Sequence, residues 1–528
     1  MSANALPRAG RREWIGLAVL MLPTLLIAMD LTVLHLAVPH LSADLKPTSA
    51  QLLWITDIYG FMIAGSLVTM GTLGDRIGRR KLLMMGAAAF GAASILAAFS
   101  TSANMLIAAR ALLGIAGATL MPSTMSLIRN MFLDPRQRTV AIGIWVSGFS
   151  VGGAVGPLVG GFLLEHFAWG SVFLLGVPVM ATLLIAGPIL LPEYKDPNPG
   201  KFDLLSAFMS LAAVLLVIFG LKQFAQDGLS LISAISVVVG LVIGYLFVQR
   251  QRTLPDPLID LNLFRTTAFS AALATYTLGI FVNFGTFLFV AQYLQLVLGL
   301  KPMEAGLWSA PGSLAFILSS NLAPRLVNKT RPAYLVAGGL VLAALGAGLL
   351  VFVGNDSLIL VVVGNILMSL GFGLTFTLTV DMVVGAAPPE RAGAASALSE
   401  TGAEFGGALG LALLGSLGLA IYRSHLAASL PAGIPPEIVK PVEETLGAAV
   451  QAASQLPAQL GSELLTAAQQ AFIPALRILA FIGVVGYIGL AILVATMLRD
   501  VRPHAETDEH LESDFAMGGL TTSAQPEM

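Results

Sequence analysis

Long apolar stretches alternate with short polar segments along almost the whole chain. Because a helix needs roughly 20 apolar residues to cross a lipid bilayer, this pattern predicts fourteen transmembrane helices. We place them at 14–38, 50–70, 82–99, 104–127, 139–163, 169–191, 204–223, 229–248, 267–298, 303–327, 332–353, 357–386, 391–421 and 474–498. Polar linkers divide them into groups of six, two and six, so we expect an all-α polytopic membrane protein.

The same linkers set the expected domain boundaries. We expect a basic N-terminus at 1–13, a six-helix bundle at 14–191, a two-helix insert at 192–265, a second six-helix bundle at 266–498 and a disordered tail at 499–528. The second bundle contains a long loop at 422–473, whose two helix-forming pieces around 437–455 and 458–472 predict a helical hairpin. This hairpin either caps the outer mouth of the protein or is a surface addition without a role in its activity.

Composition supports a membrane protein and removes several other classes. Of the 528 residues, 56% are hydrophobic and only 11% are charged, and the net charge of −2 gives no electrostatic basis for binding nucleic acid. The sequence has no cysteine and shows no nucleophile–base set, metal-ligand cluster or phosphate-binding loop. We therefore expect neither an enzyme nor a bound cofactor.

The basic residues predict the orientation in the membrane. Lysine and arginine concentrate in the N-terminus, in alternate loops and in the C-terminal tail. Because cytoplasmic loops carry an excess of these residues, both termini are expected on the cytoplasmic side.

Three charged residues lie within the first, second and fourth predicted spans. A carboxylate such as Asp30 near the middle of a bilayer costs roughly 2.5 to 3.5 kcal/mol and is tolerated mainly beside a protein-lined cavity. Arg110 keeps its charge inside the membrane and therefore needs a partner. Helix counting places Asp30, Asp57 and Arg110 at a similar depth in the outer half, which predicts a charge cluster. The alternative for Asp57 is a solvated helix end.

Further acids lie in the second predicted bundle. Glu400 and Glu404 are one helical turn apart on the thirteenth span, and two carboxylates in a medium of low dielectric constant resist being ionised together. Asp381, near the cytoplasmic end of the twelfth span, is expected to be solvated. Aromatic residues on the second and ninth spans are candidates for a cavity that holds cations by cation–π contact. These are Trp54, Tyr59, Phe61, Phe284 and Tyr293. The alternative for those on the ninth span is packing against lipid or the protein core.

A glycine-rich basic turn follows the second span. It runs Gly71-Thr-Leu-Gly74-Asp75-Arg76-Ile-Gly78-Arg79-Arg80-Lys81. Its glycines allow backbones to approach closely, and Asp75 is suited to the positive end of a neighbouring helix. The alternative is a signal for topology alone, which explains the arginines but not the spacing of the glycines and the aspartate.

The fifth span carries glycines three and four residues apart, which predict a bare face for close helix packing. They are Gly148, Gly152, Gly153, Gly156, Gly160 and Gly161, with Pro157 among them.

Together these segments resemble the motifs of the major facilitator superfamily. The turn at 71–81 resembles its motif A, the stretch 110–117 its motif B, and the string 152–161 its motif C, which marks the antiporter branch. Further matches, including Trp54 to Tyr59 and Gln292 to Gly299, make the chain similar to the fourteen-helix drug:proton antiporters, especially the QacA/SmvA-type quaternary-ammonium pumps.

This resemblance implies a monomeric pump in a bacterial cytoplasmic membrane that exports lipophilic organic cations in exchange for protons and confers drug and antiseptic resistance. It implies that Asp30, Asp57, Glu400 and Glu404, with Arg110, bind proton and substrate. It also implies gating roles for Gly71, Gly74, Asp75, Arg76, Gly78 and Arg79, and for Gly152, Gly156, Pro157, Gly160 and Gly161. Two alternatives remain: an exporter of a neutral or anionic metabolite or antibiotic, and a membrane sensor on the same scaffold that transports nothing.

Overall fold

A computed structural model describes residues 8–47, 49–195, 203–227, 230–327, 330–388 and 391–499. Within these ranges the chain is helical and contains no β-strand. The α-helices are α1 (Arg11–Leu45), α2 (Ser49–Ile77), α3 (Arg79–Ala98), α4 (Ala103–Met131), α5 (Pro135–His166), α6 (Ser171–Leu174), α7 (Gly176–Leu190), α8 (Leu204–Asp227), α9 (Leu231–Thr253), α10 (Thr267–Gln292), α11 (Pro302–Val327), α12 (Pro332–Leu350), α13 (Leu358–Ala386), α14 (Ala392–Gly410), α15 (Ser416–Ser429), α16 (Pro436–Glu444), α17 (Leu446–Ala453) and α18 (Ala458–Met497).

Twelve helical stretches of the described chain are long and apolar enough to cross a membrane. The chain is therefore a multi-pass membrane protein. Two further long helices, α2 and α11, do not meet this composition criterion. Both carry charged residues, and both lie between other helices: α2 packs on α4, α8 and α14, and α11 packs on α13 and α5. α2 is largely covered by these neighbours, whereas α11 also has an exposed apolar face that includes Leu307, Leu314 and Leu318.

Two large apolar cores organise the helices. The first is built mainly by α1 to α7, with α1 packed on α5 and α4 packed on α2 and α3. The second is built by α10 to α13 and α15 to α18, with α12 packed on α13 and α18. We call the end of the molecule with the start of α1 and the α2–α3 and α13–α14 turns the basic end. The opposite end contains the α1–α2 and α3–α4 turns.

Hydrogen bonds between these two groups of helices lie in the half nearest the basic end. Arg129 on α4 donates to the carbonyl of Ala387 at 2.6 Å, and Asn321 on α11 donates to the hydroxyl of Ser147 on α5 at 2.7 Å. The backbones also approach closely there, since a Cβ added at Gly143 on α5 would lie 2.7 Å from the carbonyl oxygen of Ser320 on α11. The two bundles are thus joined at the basic end.

The helix pair α8–α9 packs against both bundles. Ile218 on α8 lies in one apolar cluster with Phe61 and Ala64 of α2 and with Ala408 of α14. At the basic end, hydrogen bonds from Arg250 and Ser206 lower the pKa of Asp203 to about 2. This carboxylate therefore stays ionised and holds α8 to α9 throughout the neutral pH range.

The long loop at the opposite end differs from the predicted hairpin in one respect. Residues 458–472 are not a separate piece, because α18 continues from Ala458 through Pro474 to Met497 as one helix. The remaining pieces, α16 and α17, fold onto the second bundle, where the hydroxyl of Tyr422 donates to the carbonyl of Val442 at 3.0 Å. The loop is thereby fixed to the second bundle.

Candidate functional site

Asp30 and Arg110 form the first buried ion pair of the interior. Nη1 of Arg110 donates to Oδ2 of Asp30 at 3.3 Å, joining α4 to α1. The guanidinium also lies over the rings of Tyr59 and Phe173, at 5.1 and 5.9 Å from their centroids. Arg110 is only 1% exposed. Its charge is therefore compensated by one carboxylate and two aromatic faces, as an intramembrane arginine requires.

A small cavity lies beside this pair. It has a volume of about 20 Å³ and is lined by Asp30, Phe90, Ser94 and Phe173 among others. This volume is enough for one water molecule. Asp30 therefore borders Arg110 on one side and, on the other, a mostly apolar cavity in which Ser94 supplies a second polar side chain.

Asp57 does not join this pair. It lies on the same helix as Tyr59, but side chains two positions apart in a helix point about 200° away from each other around its axis. Asp57 therefore faces α8. There, Nζ of Lys222 donates to Oδ1 of Asp57 at 3.0 Å. The same ammonium lies 4.6 Å from the centroid of the Phe61 ring. Of the predicted three-residue cluster, the structure thus brings together Asp30 and Arg110 and gives Asp57 a different partner.

Glu400 and Glu404 occupy α14 where the bundles and the insert meet. Glu400 is 6% exposed, whereas the side chain of Glu404 is exposed. Glu404 is within electrostatic reach of residues from three parts of the molecule: Tyr59 on α2, Tyr276 on α10 and Lys222 on α8. A carboxylate that keeps solvent contact at such a central position is suited to exchange protons and cations.

An aromatic group on the second bundle adjoins these acids. Tyr276, which is within electrostatic reach of Glu400, packs edge-on against Phe376 with ring centroids 4.8 Å apart. Phe372 and Phe316 extend this group, and all three phenylalanines are partly exposed and also touch the core of the first bundle. They present apolar, π-rich surface between the bundles, and the sequence analysis did not single them out.

The five predicted cavity aromatics occupy different places. Trp54, 41% exposed, stacks on Phe219 of α8 and lies 6.0 Å from Phe61, beside Lys222, while Tyr59 is buried against Arg110. Phe284 is 53% exposed on α10. Tyr293 is fully buried, and its hydroxyl donates to the carbonyl of Gly354 at 2.6 Å in the turn before α13. That contact holds a turn at the opposite end of the molecule.

The glycine-rich basic turn joins α2 to α3 and touches α14. Asp75 pairs with Arg79, and its carboxylate is within electrostatic reach of the backbone N–H of Ala394 in the first turn of α14. This agrees with the predicted position of Asp75 at a helix N-terminus. Gly78 adopts a φ of 112°, a conformation that favours glycine. Asp75 and Arg79 are 4% and 0% exposed, so α14 covers them both.

Close backbone contact makes this arrangement fit. A Cβ added at Gly71 would lie 2.6 Å from the Cβ of Ala397 and 2.8 Å from the carbonyl oxygen of Gly393. A Cβ added at Gly393 would overlap the guanidinium of Arg79. Gly74 likewise faces Arg79, and Arg76 lies partly buried in the last turn of α2. No sequence pattern points to Gly393, because the order of residues alone does not show which helix covers Arg79.

Asp381 corrects one expectation. It is 5% exposed rather than solvated, and it accepts hydrogen bonds from Nε of Arg138 at 3.1 Å and from the hydroxyl of Thr139 at 2.9 Å. Both donors belong to α5, so this acid links the two bundles at the basic end.

The glycine face of α5 packs on α1. A Cβ added at Gly152 would lie 2.5 Å from the carbonyl oxygen of Leu25, and one added at Gly160 would lie 2.8 Å from Val33. Gly153 and Gly161 face open space, and Gly156 is buried. The side chain of Pro157 lies outside the described part of the structure.

Two bundles joined at one end, with ionised side chains and aromatic rings between them, define a multi-pass membrane transporter. The chain belongs to the Major Facilitator Superfamily, whose model matches residues 20–411. This confirms the resemblance found in the sequence and makes the protein a transporter rather than an enzyme.

Individual relatives agree with this membership. The chain is 43% identical to the multidrug efflux pump LfrA of Mycolicibacterium smegmatis, over 91% of this chain and 97% of the relative. It is 36% identical to the methyl viologen resistance protein SmvA of Salmonella typhimurium, over 88% of this chain and 93% of the relative. The crystal structure of the human organic anion transporter MFSD10 matches with a TM-score of 0.58 at 15% identity, over 90% of this chain and 99% of that chain, which shows the shared fold.

The contact between Arg79 and Gly393 allows a test of how the bundles are joined. Gly393→Ala is expected to displace Arg79 and separate the bundles at the basic end. Ser320 on α11 is 0% exposed and lies across the interface from Gly143, so Ser320→Cys reports separation far from the substitution. The native chain has no cysteine, so the introduced one is the only site of labelling. We expect maleimide labelling of this cysteine to be at least about tenfold faster with Gly393→Ala, a difference of about 1.4 kcal/mol.

Gly489→Ala on α18 is the matched control, because a Cβ added there meets nothing within 4 Å. Equal labelling rates in the two glycine variants would show that Gly393 does not hold the bundles together.

Proposed function

We propose that the protein exports lipophilic organic cations, such as quaternary ammonium compounds, cationic dyes and biocides, in exchange for protons, and so confers multidrug and antiseptic resistance. The observation that carries this proposal is the position of Glu404: an exposed carboxylate within reach of both bundles and the insert, beside aromatic rings. The names of LfrA and SmvA, an efflux pump and a methyl viologen resistance protein, support export of this class of compound.

The proposed exchange is a competition for carboxylates. A carboxylate beside aromatic faces attracts either a proton or a diffuse organic cation, and binding of one displaces the other. In this scheme Glu404 meets the substrate, Glu400 lies one turn away in a buried position, and Asp30 with Arg110 forms a second charged centre. Tyr59 lies between the two centres, within electrostatic reach of Asp30 and of Glu404.

The proton gradient is sufficient to drive this exchange. Each pH unit across the membrane supplies about 1.4 kcal/mol per proton. Each net charge moved gains about 2.3 kcal/mol per 100 mV. One proton exchanged for one monovalent cation uses the pH gradient alone, and a second proton adds the membrane potential. No cofactor is needed.

In our proposal α2 and α11 also cross the membrane, which completes fourteen spans arranged as six, two and six. The basic end then faces the cytoplasm of a bacterium, in agreement with the distribution of lysine and arginine. Contacts such as Arg138–Asp381 join the bundles at that end. The structure then corresponds to the state closed toward the cytoplasm, in which Asp75 and Arg79 are covered. A single copy of the chain is expected to suffice.

The proposal is tested by measuring protons released when an organic cation binds. Tetraphenylphosphonium is added to the detergent-purified protein in weak buffer, and the pH change is compared for wild type, Glu404→Gln and Glu304→Gln. Glu304 lies at the start of α11, away from the proposed site, and serves as the control. We expect about one proton released per cation bound by wild type and by the control, and at least a threefold smaller release by Glu404→Gln.

Binding without proton release by wild type would exclude exchange and favour a sensor. Absence of binding, together with binding of neutral or anionic compounds, would favour the metabolite exporter.

A further inference from the structure

The insert places the ammonium of Lys222 among side chains of the kind that bind organic cations. Lys222 on α8 extends its ammonium to Asp57, with Nζ 3.0 Å from Oδ1, and to the face of Phe61, 4.6 Å from the ring centroid. Trp54 lies beside Phe61 and is stacked on Phe219 at 6.1 Å. One carboxylate and several aromatic faces around an ammonium form the usual recognition site for quaternary ammonium ligands.

The surroundings of Lys222 belong to three parts of the molecule. Asp57 and Phe61 come from α2, Phe219 from α8, and Glu404 from α14. Lys222 is within electrostatic reach of Glu404 as well as in contact with Asp57. Its side chain is 26% exposed, as is that of Asp57, so the pair is open enough for a competing cation to enter. The flexible four-carbon stem of lysine allows its ammonium to move between two nearby acids.

We propose that Lys222 is an internal counter-ion that an organic cation displaces from Asp57, and that the displaced ammonium moves to Glu404 and expels its proton. This inference rests on the proposed function and names how binding and proton release are linked. The charge balance is simple: the substrate cation replaces the ammonium at Asp57, the ammonium stays protonated and pairs with Glu404, and the carboxyl proton of Glu404 goes to solvent.

Other titratable groups face the same region and remain unchanged in this step. They are Glu400 on α14, Tyr276 on α10 and Tyr59 on α2. The ammonium of Lys222 favours the ionised form of the acid it approaches. Since Asp57 is already paired in the structure and Glu404 is not in contact with Lys222, the movement transfers this effect from one acid to the other.

Lys222→Gln is expected to bind the substrate more tightly than wild type and to export it less well. Lys222→Gln removes the competing charge from Asp57, so the affinity for tetraphenylphosphonium should rise about tenfold. It also removes the charge that expels the proton from Glu404, so protons released per cation bound should fall to less than half of the wild-type value. Lys222→Arg keeps the charge and is the matched control. It should retain most of the proton release of wild type.

Calorimetric titration of the full chain in two buffers of different ionisation enthalpy gives the affinity and the proton release in one experiment. Asp57→Asn/Lys222→Gln should bind no more tightly than Asp57→Asn, because the gain depends on freeing Asp57. If Lys222→Gln bound tetraphenylphosphonium with the affinity of wild type and released as many protons, the inference would be overturned and the proposed function would stand. Failure of wild type to release protons would instead overturn the proposed function, and with it the step at Glu404.

A second measurement uses the wild-type protein and does not depend on the folding of a variant. Reductive methylation of Lys222, followed by mass spectrometry of its peptide, reports how freely the amine reacts. Movement of the ammonium away from Asp57 should change this rate at least threefold when tetraphenylphosphonium is bound. An unchanged rate at saturating tetraphenylphosphonium would show that Lys222 is not displaced.

Discussion

Asp75→Asn is expected to open the basic end of the protein and reduce export severely. The substitution leaves Arg79, which is 0% exposed, without its carboxylate as long as α14 covers it. Leaving a buried charge without its partner costs about 3 kcal/mol or more. Once the bundles separate, water solvates Arg79 and this cost disappears. The closed state alone is destabilised, so the ratio of closed to open molecules should fall about 100-fold.

Distances between spin labels measure this shift directly. The absence of native cysteines permits pairs of labels without background. One pair, Leu133→Cys with Phe264→Cys, reports the basic end, and the other, Phe167→Cys with Met303→Cys, reports the opposite end. All four side chains are exposed, between 41% and 63%. In Asp75→Asn, pulsed electron resonance should show a longer distance for the first pair and a shorter one for the second.

Asp134→Asn provides the control. It removes an acid at the same end of the first bundle, but Asp134 caps α5 by accepting a hydrogen bond from the backbone N–H of Arg136. Distance distributions that are the same in Asp75→Asn and Asp134→Asn would mean that the Asp75–Arg79 pair does not stabilise the closed state.

The positions of the helices along the chain were largely predictable from sequence, because a helix that crosses a membrane must have a certain length and an apolar composition. Each predicted span contains a helix, and differences concern ends and breaks. The predicted sixth span is divided into α6 and α7 at Leu175, and the thirteenth passes through a π-helical turn at Leu411–Gly415 before α15. Hydropathy gives the number of residues in the membrane, but packing against neighbours decides such local changes in winding.

The pairing of charges was predictable only in part. Depth in the membrane follows from counting along a helix, which is why Asp30 and Arg110 were expected to meet. The direction in which a side chain points depends on which helices are neighbours, and this is set by contacts between parts far apart in sequence. Asp57 therefore had an unforeseen partner, Lys222, from the two-helix insert. Asp381 was misjudged for the same reason, since its partners come from α5.

Asp30→Asn is expected to abolish the proposed proton-coupled export and to lower the stability of the protein, and the two effects can be separated. The variant leaves Arg110 buried with two aromatic faces but no carboxylate. The loss should be about 3 kcal/mol, at the low end for broken buried pairs because the side chain of Asp30 is 15% exposed. Asp30→Asn/Arg110→Met removes both charges and keeps a similar volume, so it should recover most of the lost stability.

Export should not recover with stability if Asp30 carries a proton during transport. The measurement pairs thermal unfolding in detergent with uptake of ethidium into inside-out proteoliposomes under an imposed pH gradient. We expect a lower melting temperature for Asp30→Asn, a melting temperature near wild type for the double variant, and less than about one-tenth of wild-type uptake for both. If the double variant regained uptake, Asp30 would serve only to neutralise Arg110. The exchange of protons would then depend on Glu404 and its neighbours, where the aromatic rings and the ammonium of Lys222 already lie together.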